Sequence, residues 1–573
     1  CYLPMPDGVR LAIDVYLHEG ESGPFATILH QTRYFRAVGM RRFFSWVPLA
    51  AAIDTDFQTR RRFVRAGYAW VSVCVRGSGA SGGASPFPWS EPEIQDGARV
   101  LDWIVAQPWS NGRVGSTGIS YSGTSAEMLA GVGHPALRAI APRFSCFDVY
   151  ADVAFPGGLH LESFTEAWGQ LNRLLDSGDI GGAVALNLRL AGKGCVGLRG
   201  HGGLKAAAHP AAQRVIRAAV GAVAHGVAAV DDDPRRQAVG AAIAEHAANE
   251  DIHAGALRIA FRDDRGLSAR EPEATVDSLS PHRRADAVRA SGVATLGYSG
   301  WLDGSYAGAA AKRFLHVGGR LVLGPWNHGG QQDVSPFTPP GPAPDDHAAT
   351  LLEFFDAHLR DRPMAGSPVR YFTMGEERWK EAQTWPPPET TTRSLFLGPG
   401  GLSDAAPIAS GSRRYQVDSS VGTGHRSRWN SLLGIKAPIG YADSRGLCAR
   451  AACFDGPPLP APLEVTGHPR VDLTLASSHT DGSVFAYLVD VAPDGRTTIV
   501  TEGMLRLSHR RFVPGTSVLT TREHTRQHAE PLVPGEPARA VFDLLPVSYR
   551  FPAGHSVRLA LTGAAPAPFR EVT

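Results

Sequence analysis

An excess of charge of either sign is nearly absent from this sequence. Its 57 Lys and Arg stand against 55 Asp and Glu, a formal net charge of +2. No strong field draws such a chain to DNA, RNA or an anionic membrane, so nucleic acid is not an expected partner. The Arg- and His-containing stretch from Ser508 to His528 reads as a solvated loop face. Long apolar runs are also missing, which excludes a membrane-spanning helix. Cysteine is scarce: Cys1, Cys74, Cys146, Cys195, Cys448 and Cys453. Cys74 lies in "WVSVCV" and reads as a small buried hydrophobe. Cys448 and Cys453 are near enough in sequence to pair. No second Cys/His pair accompanies them, so no zinc site is expected, and the chemistry read below needs no metal or organic cofactor. The chain starts at Cys1 and enters a strand-like pattern at once ("CYLPMPDGVRLAIDVYL"). We read this as a trimmed chain rather than a lipoprotein, with the compartment, cytoplasmic or secreted, left open.

What is present is a chain of 573 residues, 43% hydrophobic and 20% charged, enough for about two to four domains. Short apolar runs at Ala26–His30, Trp70–Val75 and Arg113–Ile119 alternate with a helical pattern at Ala98–Val105. The alternation returns at Val293–Tyr298 and Arg320–Gly324, around a helix at Ala307–Phe314. Buried runs separated by helices predict a parallel sheet. Between them, residues 150–287 are rich in Ala, Gly, His and Arg with helical spacing, and read as an inserted cap. "TWPPPETTT" marks a stiff boundary. Beyond it, "VDLTLAS" and "VRLALTG" alternate, and "DVAPDGR" predicts a hairpin turn at Asp494–Gly495. The expected architecture is an α/β-hydrolase sheet domain (1–149 and 288–385) with a helical cap (150–287). A jelly-roll-like β-sandwich (386–573) follows.

Gly77 to Gly82 satisfies G-x-G-x-x-G, but Pro86, Pro88 and Pro92 stop a helix from opening behind it. A dinucleotide site is therefore not expected. "GISYSG" (118–123) is more informative. It lies between a strand and a helix, as a nucleophile elbow does, with its second glycine displaced by one position from G-x-S-x-G. A serine nucleophile needs a histidine base and a carboxylate to orient that base. Asp303 in "GWLDG" and His328 in "GPWNHG" each follow the end of a predicted strand, where open α/β sheets place their sites. The chain order Ser, Asp, His is that of α/β-hydrolases.

Together these motifs resemble the cocaine esterase / X-Pro dipeptidyl-peptidase (S15-like, CocE/NonD) family of α/β-hydrolases. That family also includes α-amino acid ester hydrolases and a glutaryl-cephalosporin acylase. The likeness extends through "RGSGASGG", "EPEIQDGARVLDWIVAQPW", "FFDAHLRD" and "PVRYFTMGEERWKEAQTWPP", and the cap is its least similar part. The resemblance implies a serine hydrolase with Ser120, Asp303 and His328 as its triad. It further implies an oxyanion hole made by the hydroxyl of Tyr34, in "QTRYFR", and the backbone N–H of Tyr121. The expected partner is a small-molecule ester or amide. Trp168 and Trp301 are candidate walls of the substrate pocket. The acidic residues that follow the aspartate in α-amino acid ester hydrolases are replaced here by Gly304, Ser305 and Tyr306, although Asp148 or Asp152 could contribute. An ester hydrolase is the first reading. An acylase or dipeptidyl-peptidase is the alternative, and a non-catalytic binding protein on this scaffold is the reading from another class. The chain stops at "PAPFREVT", where members of that family usually continue through further strands, so either this copy is trimmed or the sheet closes differently. An uncovered edge would be an association risk, and homo-oligomerisation is left open.

Overall fold

The computed structural model describes residues 1–20, 23–41, 56–194, 202–233, 235–338, 341–342, 345–433, 439, 441, 444–511, 522–565 and 568–572. Ten strands form one sheet: β1 (Tyr2–Pro4), β2 (Arg10–Tyr16), β3 (Phe25–Thr32), β4 (Ala69–Cys74) and β5 (Ser110–Ile119), then β6 (Leu137–Arg143), β7 (Ala294–Gly300), β8 (Arg320–Gly324), β9 (Val369–Thr373) and β10 (Arg378–Ala382). Their spatial order is β1-β2-β4-β3-β5-β6-β7-β8-β9-β10. From β4 to β9 every pairing is parallel, while β1, β2 and β10 pair antiparallel at the edges. All eight residues of β3 are buried, because helices cover both faces of a parallel sheet.

The chain leaves β3 for β4 on one side and returns to β5 on the other. The strand order therefore reverses at β3/β5, the position where such sheets bind ligands. Tyr34 follows β3 and Ser120 ends β5. Five helices matter for the site: α1 (Glu91–Val105), α2 (Tyr121–Ala130), α3 (Glu162–Asp176), α4 (Ile180–Gly194) and α5 (Tyr306–Val317). Every residue of α2 is buried.

The segment 150–287 is mainly helical, including α3 and α4, but it also contains a strand. Ala224–Val227 pairs antiparallel with Val38–Met40, just after β3. That pairing had no clear sequence signal, since "AHGV" continues an Ala-rich helical pattern. After β10 the chain becomes all-β with antiparallel pairing. A four-stranded sheet joins Ala452–Asp455, Ser556–Thr562, Ser483–Val491 and Thr497–Arg506. Gly495 takes the positive φ of the hairpin turn that "DVAPDGR" predicts. Cys448 and Cys453 are both free thiols, and no helix among the described residues is long and apolar enough to cross a membrane.

Within the stretch from Ser508 to His528 (residues 512–521 lie outside the described residues), Arg511, Glu523, Arg526 and Gln527 are exposed, but His509 and His524 depart from the reading of a solvated face. His509 is buried and stacks on Phe261 of the cap segment at 5.1 Å. Its Nδ1 lies 3.0 Å from Nδ1 of His524. These histidines fill the junction between the cap and the β domain instead of facing water. Burial, with Arg506 next in importance, lowers the His509 pKa to about 4. Burial and the neighbouring His253 do the same to His160, also to about 4.

The folded protein therefore holds both rings neutral while the unfolded chain protonates them near 6.5. Their stabilisation is complete above pH 6.5 and erodes as the pH falls toward 4. The slope approaches about 1.4 kcal/mol per pH unit for each ring. Urea midpoints are expected to drop between pH 7 and pH 5, and His509→Gln to flatten that drop. A pH-independent midpoint would contradict it.

Candidate active site

Ser120 stands between β5 and α2 with φ 59° and ψ −120°, a strained conformation for a residue with a side chain. The two glycines of "GISYSG" explain why the turn can close. A Cβ on Gly118 would lie 2.2 Å from Cβ of Ser122. One on Gly123 would lie 2.8 Å from the Gly118 carbonyl oxygen, 2.9 Å from the Arg143 carbonyl oxygen and 3.0 Å from the Arg143 nitrogen. The displaced glycine is thus where α2 presses directly on the backbone of β6. The Ser120 N–H donates to the Arg143 carbonyl at 3.0 Å, fixing the turn to the same strand. Gly123→Ala is expected to destabilise the protein by about 1–3 kcal/mol through overpacking. It should also lower kcat/KM about 100-fold by displacing Ser120. A urea titration and an esterase assay check both, and unchanged values in either would refute the close-packing account.

Asp303 follows β7 and His328 follows β8. The His328 Nδ1–H donates to Asp303 Oδ1 at 2.8 Å, with Asp303 fully buried and His328 nearly so. Ser120, Tyr34, Tyr121 and His328 line one cavity of about 420 Å³. Tyr34 accepts a 2.8 Å hydrogen bond from the indole N–H of Trp168 on α3, and its hydroxyl also meets the Ser120 side chain. An indole nitrogen can only donate, so the phenolic proton of Tyr34 is left to point elsewhere. Burial raises the Tyr34 pKa above its usual 10, which keeps that proton in place. Tyr121, as the first residue of α2, has no intrahelical acceptor for its N–H.

Trp168 lines the cavity, but Trp301 does not. The Trp301 ring is fully buried, donates to the Phe372 carbonyl at 2.8 Å and packs on Trp385 at 5.7 Å. It supports the Asp303 loop from beneath. Asp148 and Asp152 are committed elsewhere. Asp148 pairs with Arg262 at 2.6 Å. Asp152 accepts the Phe147 and Asp148 N–H groups and pairs with Lys312.

Asp56 is the one carboxylate lining the cavity among the described residues. It is bound by Arg143 at 2.8 Å and His30 at 3.2 Å, and these partners hold its carboxyl well below the usual range against the cost of burial. Asp148, Asp277 and His282 converge closely enough to hold an ion. Arg262 already donates to both carboxylates, at 2.6 and 2.8 Å, and supplies the positive charge itself. The Gly77–Gly82 loop is bound by the cap. Asn249 donates to the Gly77 carbonyl and His246 bonds the Ser81 carbonyl, both at 2.8 Å.

Residues 7–330 match the family model for X-Pro dipeptidyl-peptidase (S15 family). The chain belongs to this family. Residues 364–569 of this S15-family chain match the X-Pro dipeptidyl-peptidase C-terminal non-catalytic domain. A Mycobacterium bovis protein named as a serine esterase is 43% identical over 599 aligned positions, covering 98% of this chain and 90% of that protein. The cocaine esterase of a Rhodococcus species is 28% identical, again covering 98% and 90%. Two solved structures share the fold. One is a CocE/NonD family hydrolase from Staphylococcus aureus, with TM-score 0.63, 17% identity and 99% and 86% coverage. The other is an α-amino acid ester hydrolase, with TM-score 0.65, 22% identity and 100% and 90% coverage. The S15-family chain described here is a hydrolase of the serine-esterase type.

Several residues around this site carried no sequence signal of their own. Arg428, from the segment that precedes the β strands, donates to the Trp301 carbonyl, and its own carbonyl accepts the Gly304 N–H at 3.3 Å. It braces the "GWLDG" loop from 125 residues further along the chain. Arg33 pairs with Asp176 of α3 at 3.2 Å, tying the Tyr34 loop to the cap. Trp89 and Glu93 surround Tyr121. Their stretch, "PWSEPE", leads into the "EPEIQDGARVLDWIVAQPW" likeness, but nothing in it points to Tyr121.

Proposed function

We propose that this hydrolase cleaves uncharged carboxylic esters through an acyl-enzyme on Ser120. The observation that carries the reading is the 2.8 Å His328–Asp303 hydrogen bond beside Ser120 in one apolar cavity. His328 Nε2 takes the Ser120 proton as the oxygen attacks the ester carbonyl. Asp303 fixes the tautomer and stabilises the imidazolium. The Tyr34 hydroxyl and the Tyr121 N–H donate to the oxyanion, where preorganised donors act most strongly. His328 then protonates the leaving alcohol, and water releases the acid by the same steps in reverse.

The preference for an uncharged acyl group rests on the walls. Phe155, Phe164, Trp168, Leu171 and Val184 are apolar, and the lone lining carboxylate, Asp56, already has two partners. An ammonium-bearing α-amino acyl or dipeptidyl substrate finds no free counter-charge there among the described residues. A fluorophosphonate probe tests the reading. Peptide mapping is expected to place the label on Ser120, and p-nitrophenyl butyrate to be cleaved far faster than a glycyl-prolyl anilide. Label elsewhere, or preference for the anilide, overturns it.

A further inference from the structure

Glu93 is the third residue of α1 and is buried to 3% exposure, with no cation paired directly to it among the described residues. Both of its oxygens accept from the Tyr121 hydroxyl, at 2.6 and 2.8 Å, and one also accepts the Trp89 N–H at 3.1 Å. Burying a carboxylate without a counter-ion costs several kcal/mol, and in return this one holds only Tyr121 and Trp89. Tyr121 is gripped at two further points. Its ring stacks on Trp89 at 4.7 Å, and its carbonyl accepts from the Trp89 indole N–H at 3.2 Å. Its ring edge also meets Tyr34 at 6.0 Å. One residue is therefore clamped by its hydroxyl, ring and carbonyl, and its N–H is the proposed oxyanion donor.

We propose that Glu93 is a positioning residue for the oxyanion hole, holding the Tyr121 N–H in its productive orientation through the Tyr121 hydroxyl. This rests on the reading that Ser120 is the nucleophile and the Tyr121 N–H a donor. Only the carboxylate accepts the phenolic proton on both oxygens. A protonated Glu93 gives up one acceptor and gains a donor that must find its own partner. Burial raises this group to about 7, opposed by the Tyr121 hydrogen bond and the charge of Arg33, with Asp96 reinforcing the rise. Arg33 lies 5.8 Å over the Tyr121 ring and is paired with Asp176. Asp96, on α1 itself, is paired with Arg76 at 2.6 Å. The site therefore carries an ionisation at Glu93.

Glu93→Gln and Tyr121→Phe are expected each to lower kcat about 10- to 100-fold at pH 8 with KM within twofold. The double variant should be no worse than the poorer single one, as for two residues of one linkage. Affinity for a boronic acid that mimics the tetrahedral intermediate should fall with kcat, while affinity for the product acid stays constant. The wild-type advantage in kcat/KM over Glu93→Gln should narrow as the pH falls through about 7, because a protonated Glu93 behaves as the glutamine does. Wild-type kcat in both variants overturns the proposal, as does a boronate affinity that does not follow kcat. If Glu93→Gln does not fold, Tyr121→Phe carries the test, since it keeps the ring stack. Fluorophosphonate labelling separates the two levels. A wild type that does not label at Ser120 fails the nucleophile reading, while normal labelling with unaffected variants fails only the role of Glu93.

Discussion

Ser120→Ala is expected to lower kcat on p-nitrophenyl esters by about 10⁴- to 10⁶-fold, with little change in stability. The residual rate would come from binding and the oxyanion donors alone. Asp303→Asn should cost about 10⁴-fold for a different reason. The asparagine amide can turn its NH₂ toward His328 Nδ1, which then accepts, so Nε2 carries the proton and cannot take one from Ser120. Tyr34→Phe removes one donor and should cost about 10²- to 10³-fold in kcat. The order of these three losses is the informative part. A Ser120→Ala enzyme that keeps more than about one per cent of the rate would remove Ser120 from the mechanism.

The largest loss of stability is expected from Arg313→Met. Arg313 lies on α5, the helix that follows the Asp303 loop, and Glu127 lies on α2, the helix that follows Ser120. The Arg313 Nε–H donates to Glu127 Oε2 at 2.8 Å, and a second guanidinium nitrogen donates to the Cys146 carbonyl at 2.9 Å. Both side chains are 1% exposed. Removing the cation leaves Glu127 buried and unpaired, which costs about 3–5 kcal/mol. Replacing both partners by Met and Leu should cost much less, because the uncompensated charge disappears with its partner. Urea unfolding of the two singles and the double gives the cycle. The pair also joins the helix that follows Ser120 to the helix that follows the Asp303 loop, so on the proposed mechanism kcat should fall with stability in Arg313→Met. A single variant within 1 kcal/mol of the wild type would refute this account.

Much of the architecture could be read from the chain. The buried runs before Thr32, Cys74 and Ile119 are parallel strands, and the alternating runs after the proline stretch are antiparallel ones. "GWLDG" and "GPWNHG" were legible as neighbours because each follows a strand end in the same sheet, and Asp303 and His328 do meet there. Trp301 was misjudged for a related reason. Sequence adjacency to Asp303 says which loop it is on, but not which side of the loop faces the cavity. The supporting shell was not legible. Arg428, Arg313 and Glu93 act across long separations, and their motifs are ordinary when read locally. In the Ser508–His528 stretch, Arg511, Glu523, Arg526 and Gln527 are exposed as polar composition predicts, while His509 and His524 are not. Here histidines are neutral packing material at a junction between two parts of the chain.

The short strand Val38–Met40 has one more consequence. It follows Tyr34 by four residues and pairs with the cap strand Ala224–Val227, while Arg36 in between binds the carbonyls of Ala228 and Ala229. The cap and the loop that carries Tyr34, the proposed oxyanion donor, are therefore stitched together by a strand pairing and an arginine side chain. A cap that swung away as a rigid flap would pull the Tyr34 loop with it, away from Ser120.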